Sequence, residues 1–296
     1  MAVAAALSGA GFTAWMIGRQ SYITDTCDTA ERGRAIAVMA GIMRLGSVVG
    51  PGVGALVAQL WGFRVAFVVL ALTAGCAALL VTAFTRQLRQ QAQARVAHLA
   101  HLTGIMKTHA RSLMTAGVAS IGLQLMRSGR VLLIPLFGHF LGLNVSAIGL
   151  IISMAAFVDA ALFVPVGVVM DRLGRKWTGI PCMVLMSVSL LLLPLTQGYY
   201  SLLAVSLLSG FANGLGAGLL LTLGSDLAPE QARGEFLGIW RLIGDLGHAG
   251  GPLLIGMLIE TVTLAFAATA VAGIGMAGAA ILYWLVEETL QRKNPR

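Results

Sequence analysis

The residues of this sequence best placed to do chemistry are charged side chains set inside long apolar runs. Arg127 and Arg130 lie about one helical turn apart, and Asp159 falls in the middle of the next run. Arg241, Asp245 and His248 follow one another at i, i+4 and i+7, while Arg19 and Arg44 sit in two earlier runs. An ionised group placed in hydrocarbon costs about 2.5–3.5 kcal/mol on insertion scales, so such groups face a bundle interior, a water-filled cavity or an opposite charge. A carboxylate next to guanidinium groups can hold an ion pair, and a carboxylate screened from water can also carry a proton. For Asp159 both readings follow from the residue types: a proton carrier, or a structural pair with Arg127 or Arg130. Arg241 and Asp245 are equally an i,i+4 helix pair. His248 is as readily a packed, hydrogen-bonded residue as a coupling site.

Other chemistry is not signalled. There is no Walker A loop for ATP and no GxSxG or HExxH pattern. Cys27, Cys76 and Cys182 are widely spaced, without a CxxC pair, and suggest neither a disulfide framework nor a zinc site. His98, His101 and His109 occur in one polar stretch, where solvated side chains at a membrane surface are the expectation. The sequence therefore predicts no enzyme, no catalytic residue, no metal and no cofactor.

The elements that must position the charged groups are helices. Apolar residues make up 57% of the 296 positions and charged residues 11%, with a mean hydropathy of +0.86, so the chain needs lipid as its solvent. Apolar runs fall at 2–24, 37–59, 64–84, 114–141, 146–169, 179–196, 200–223, 236–259 and 264–286. Each is close to the ~20 residues a helix needs to cross ~30 Å of hydrocarbon. The runs are too long for barrel strands and do not alternate, whereas helices satisfy their own backbone hydrogen bonds.

The net charge of +8 could suggest nucleic acid, but the basic residues cluster in alternate loops. Arg32 and Arg34, then Arg86, Arg89, Arg95, Lys107 and Arg111, then Arg172, Arg175 and Lys176, then Arg233, and finally Arg292, Lys293 and Arg296 fall on one side. The intervening short loops offer only Arg64. This asymmetry predicts a multi-pass protein of the cell (inner) membrane, with the longer loops and the C-terminus cytoplasmic and no nucleic-acid partner. Residues 86–111 read as a basic amphipathic helix on the inner leaflet.

The sequence also matches itself at a shift of 201 residues. Leu7-Ser8-Gly9 falls on Leu208-Ser209-Gly210, Asp25 on Asp226, and Arg32-Gly33 on Arg233-Gly234. Gly46, Gly50 and Pro51 fall on Gly247, Gly251 and Pro252, so a GxxxGP element occurs twice at one distance from an Arg-Gly. The runs at 2–24, 37–59 and 64–84 map onto the last three. Two six-helix halves in parallel orientation are the implied plan.

Gly167-Val-Val-Met-Asp171-Arg172-Leu-Gly174-Arg175-Lys176 resembles the GxxxDRxGRK loop signature of the major facilitator superfamily. The stretch from Gly46 through Gly50, Pro51 and Gly54 resembles the fifth-helix motif of that family's antiporters, and the segment from Ser8 to Arg19 loosely resembles its fourth helix. The resemblance covers the whole chain as helices four to twelve.

It implies an all-α membrane protein, a major facilitator-type bundle with nine transmembrane helices that lacks the first three of twelve. The expected division is a partial N-terminal half at 1–85, a cytoplasmic linker at 86–111, a six-helix C-terminal half at 112–290 and a tail at 291–296. It places Arg19, Arg127 and Arg130 on or near a transport path. Asp159, Asp245 and His248 are the further coupling candidates. Gly46, Gly50, Pro51, Gly54, Gly247, Gly251 and Pro252 are expected in helix packing, and the first set also in sealing a leak. Asp171 is expected to latch onto residues 33–44. The implied activity is secondary transport of a small molecule, with lipid and protons as the other partners and proton-coupled efflux the leading reading. A metabolite uniporter or symporter, or a non-transporting fragment, stands as the alternative.

Overall fold

A computed structural model of the chain describes residues 11, 32–84, 99–229 and 232–290. Among them every regular element is a helix and there is no strand. The elements are α1 (Arg32–Phe84), α2 (Leu99–Thr108), α3 (Ala110–Phe140), α4 (Val145–Ala161), α5 (Phe163–Leu173), α6 (Lys176–Leu192), α7 (Tyr199–Leu215), α8 (Leu219–Leu227), α9 (Arg233–Thr261) and α10 (Leu264–Trp284). The chain divides into two compact units, Met1–Val49 and Gly50–Arg296.

Among the described residues, five helical stretches are long and apolar enough to cross a membrane, or six when α4 and α5, bent by 41° at Leu162, count as one span. α3 has the length, but Gln124, Arg127 and Arg130 interrupt its apolar character and it is not among them. This is a multi-pass helical membrane protein.

The helix ends follow local chemistry. α1 is two helices merged across Gly62, whose backbone (φ 84°, ψ 163°) is not helical. A left-handed φ is open to glycine at no steric cost. The break falls in the gap expected between the runs 37–59 and 64–84. Shifting Gly62 by 201 residues gives Thr263, which caps α10 by accepting from the Phe266 N–H at 3.1 Å. α1 and α9 each begin at the Arg of an Arg-Gly pair, and Pro51 and Pro252 lie equally far into them. Asn144 caps α4 by accepting from Ala147 N–H at 2.8 Å.

One expected run is interrupted, and one expected stretch is described only in part. The run at 200–223 is not one helix: α7 ends at Leu215 and α8 starts after Gly218 (φ 77°). The amphipathic stretch at 86–111 is described only from Leu99, where α2 runs through His109 almost directly into α3. Residues 85–98 and the run at 2–24 lie outside the described residues, except Gly11.

Within the larger unit α3 packs on α9 and α10, α10 on α6, α6 on α7, and α7 on α4. Lipid is as apolar as leucine, so these contacts rely on close approach of small residues rather than on water exclusion. A Cβ on Gly247 would strike the Ile121 backbone, and one on Gly251 the Ser128 hydroxyl, so α9 lies directly on the α3 backbone. Gly210 plays the same part for α7 against Ala155 of α4. Met126, Leu133, Met183 and Met186 fill the centre with almost no exposure.

Candidate functional site

Three helices bring their polar side chains together inside this bundle. α3 contributes Gln124, Arg127 and Arg130, α4 contributes Asp159, and α7 contributes Asn213. Arg127 donates from Nε to Asn213 Oδ1 at 3.0 Å, from Nη1 to Gln124 Oε1 at 3.3 Å, and from Nη2 to the Gly216 carbonyl at 2.7 Å. Asn213 Nδ2 in turn donates to Asp159 Oδ2 at 2.7 Å. Arg130 Nη2 lies 3.7 Å from the same oxygen, and the two side chains are 15% and 17% exposed. The amide of Asn213 thus uses both ends, one toward a guanidinium and one toward the carboxylate.

The break between α7 and α8 is part of this site. Just after Asn213, the Gly216-Ala-Gly218 turn interrupts the helix and presents the Gly216 carbonyl to Arg127. Irregular backbone at membrane depth is tolerated where it is buried in protein and its polar groups find partners. A Cβ on Gly216 would lie 2.5 Å from Cys182 Sγ and 2.9 Å from Arg127 Nη2, so a larger residue there would displace the guanidinium or the thiol.

A second polar cluster holds the loop signature. Arg175 Nε donates to Asp226 Oδ2 at 2.8 Å, at the end of α8, and Arg175 Nη1 donates to the Met170 carbonyl at 2.9 Å. Asp226 Oδ2 also accepts from the Thr289 hydroxyl at 2.7 Å. Glu288 accepts from the backbone N–H of Arg175 at 2.8 Å, Lys176 at 3.0 Å and Leu290 at 3.1 Å. It therefore caps the start of α6 from the segment after α10. Partial burial pushes the Glu288 carboxyl up, but the backbone N–H groups of Lys176, Arg175, Leu290 and Thr289 outweigh it and hold the pKa below its usual value. Gly174 (φ 117°) passes so close that a Cβ there would lie 2.5 Å from Glu288 Oε2. Lys176 Nζ donates to the Tyr283 carbonyl at 2.8 Å.

The residues singled out in the sequence are distributed as follows. Arg127, Arg130 and Asp159 meet in the first cluster. Asp245 and Arg241 form an exposed i,i+4 pair at 3.7 Å on α9, with His248 one turn further on the same helix, also exposed. Asp171 is 76% exposed on its side chain and lies 3.7 Å from Arg175 Nη1, while Arg172 is exposed at the end of α5. Gly167 is in α5, and Gly46, Gly50, Pro51 and Gly54 are in α1. Around Gly54 and Gly167 no described atom lies within 4 Å of where a Cβ would sit. Arg19 lies outside the described residues. Reading for charge alone missed Asn213, Gln124, Gly216, Glu288 and Thr289. The glycine-punctuated Asn213–Gly218 stretch was the one visible signal, and only for Asn213 and Gly216. Among the described residues no group of His, Cys, Asp and Glu could hold a metal ion.

A partly buried charge pair, with a helix broken at its level, is a feature shared by the bundles of secondary transporters. The sequence profile of the Major Facilitator Superfamily matches residues 1–128 and 116–296, and the chain belongs to that family. Membership supports transport of small molecules across a membrane. No curated protein matches the chain.

Proposed function

We propose that this protein is a proton-coupled efflux antiporter for small amphipathic molecules, working by alternating access, with Asp159 as the proton-carrying group. The observation that carries the reading is the shared use of Asp159 Oδ2 by Asn213 and Arg130. A proton arriving at that carboxylate removes the charge that holds Arg130. Arg130 then needs another partner, and the three helices that meet there gain a reason to shift. A buried pair that loses one charge is destabilised by about 3–5 kcal/mol, ample to change which access state is favoured.

In this reading the N-terminal portion to residue 85 and the half from 112 to 290 rock about each other, joined by the linker at 86–111. The signature loop and C-terminus face the cytoplasm, as the basic loops indicate. Asp171 latches onto the 33–44 end in one access state, where the electropositive start of a helix favours a carboxylate. Asp245 and His248 are secondary coupling candidates, because an exposed charged pair on a spanning helix is too costly to face hydrocarbon.

A second reading is favoured by one observation. The cluster holds two guanidiniums and one carboxylate, which suits an anionic metabolite carried by uniport or symport. The two readings separate in reconstituted vesicles. Efflux of an amphipathic dye such as ethidium that is driven by an imposed pH gradient supports the first. Dye transport indifferent to the gradient, with uptake of organic anions instead, overturns it.

A further inference from the structure

A cavity of about 390 Å³ lies between the second leg of α1 and the first half of α4, at the end of the bundle opposite the signature loop. One wall is Phe63, Phe67 and Leu70, the other Val145, Ile148 and Ile152. Both sets are spaced i, i+3 or i+4, and i+7, so each is one helix face running about 10 Å along the axis at the 1.5 Å rise per residue. The floor is built of small residues. Pro51, Ala55 and Gly149 meet so closely that a Cβ on Gly149 would strike Ala55, while Gly54 leaves its own side of the slot open.

Three features together define the occupant. Every lining residue is apolar, so whatever enters presents hydrocarbon and no polar group. Phe63, Phe67 and Leu70 are 61%, 68% and 62% exposed, so the slot is continuous with the apolar exterior that faces lipid. The rim, by contrast, is polar: Gln59 accepts from the Ser146 N–H at 3.2 Å, and Asn144 caps the start of α4 beside it. An amphipathic molecule with its head at the rim and its tail in the slot matches this arrangement, and the surrounding bilayer supplies one. We propose that the slot seats one acyl chain of a membrane phospholipid, headgroup at the Gln59–Asn144 rim and chain between α1 and α4.

The test is photolabelling of the whole chain in vesicles of phosphatidylethanolamine and phosphatidylglycerol that carry a diazirine midway along one acyl chain. Labelled positions are then mapped by mass spectrometry. Phe67, Ile148 and Ile152 are expected to label several-fold more than Leu253 and Met257, which are exposed on α9 and report ordinary lipid contact. Gly54→Leu, whose side chain grows into the open slot, is expected to reduce labelling at those three positions to the level of the α9 residues. Ala58→Phe, which fills the slot from the next turn, serves as the second variant, with thermal unfolding checking that both fold. Labelling equal to that of Leu253 in the unaltered chain overturns the proposal. So does labelling that persists in both folded variants, or a photo-crosslinker at position 67 that captures another segment of the chain instead of lipid.

Discussion

Asn213 Nδ2 donates to Asp159 Oδ2 at 2.7 Å while the same amide accepts from Arg127 at its other end. One uncharged side chain therefore sets the distance between a carboxylate on α4 and a guanidinium on α3, and it does so from a third helix, α7. Removing it leaves two partly buried charged groups short of one hydrogen bond each. Asn213→Ala is expected to lower stability by about 1–3 kcal/mol, the cost of an unsatisfied buried polar group. Thermal unfolding in detergent measures it. Asn213→Asp should be no better, because the second carboxylate faces Asp159; a melting temperature equal to that of the unaltered protein in both variants would remove the bridge from the account.

The second GxxxGP element and the loop signature predict different tolerances for their glycines. Gly247 and Gly251 lie against the α3 backbone and Ser128, where a methyl group has no room. Gly247→Ala and Gly251→Ala are each expected to cost about 1–3 kcal/mol through overpacking. Gly167→Ala, with no described atom near its Cβ position, should be nearly neutral. Comparing the three melting temperatures checks the packing directly.

Much of this architecture was legible in the sequence, for physical reasons. Hydrocarbon forces continuous apolar helices, so α6, α9 and α10 fall close to their expected runs. The 201-residue repeat also aligned the Gly62 break with the Thr263 cap. Helix breaks at Leu162 and at 216–218 were not legible, since apolar side chains continue through them and only glycine spacing marks the second. The candidate site was half legible. Charge in an apolar run is conspicuous because it is costly, which singled out Arg127, Arg130 and Asp159. Neutral partners such as Asn213 and Gln124 carry no such signal, and Glu288 gained its role only when the segment after α10 came beside the start of α6.

That contact has a pH signature. The Glu288 pKa in the folded protein is below its usual value of 4.5, so its contribution to stability is present above that value and is lost as pH falls through the lowered pKa. Protection of the Arg175 and Lys176 amides, taken relative to their intrinsic exchange rates, is expected to fall as pH drops from the usual carboxyl value through the lowered Glu288 pKa. In Glu288→Gln exchange at these two positions should be faster at neutral pH and lack that acid-dependent step. Equal exchange in both proteins at pH 7 would show that Glu288 does not cap α6.

Orientation is open to labelling in intact cells. Single cysteines at positions 143 and 198, in a chain lacking its own three cysteines, are expected to react with a membrane-impermeant maleimide from outside. A cysteine at position 173, next to Asp171, is expected to react only after the membrane is opened. Outside labelling at 173 would invert the assignment of the signature loop to the cytoplasm.

The most direct test of proton coupling compares the unaltered protein with Asp159→Asn in vesicles, following ethidium movement with and without an imposed pH gradient. The account predicts gradient-driven transport in the first and its loss in the second, with both proteins folded as judged by thermal unfolding. Gradient-driven transport undiminished in folded Asp159→Asn would contradict it, leaving Asp159 a purely structural partner of Arg130 and Asn213.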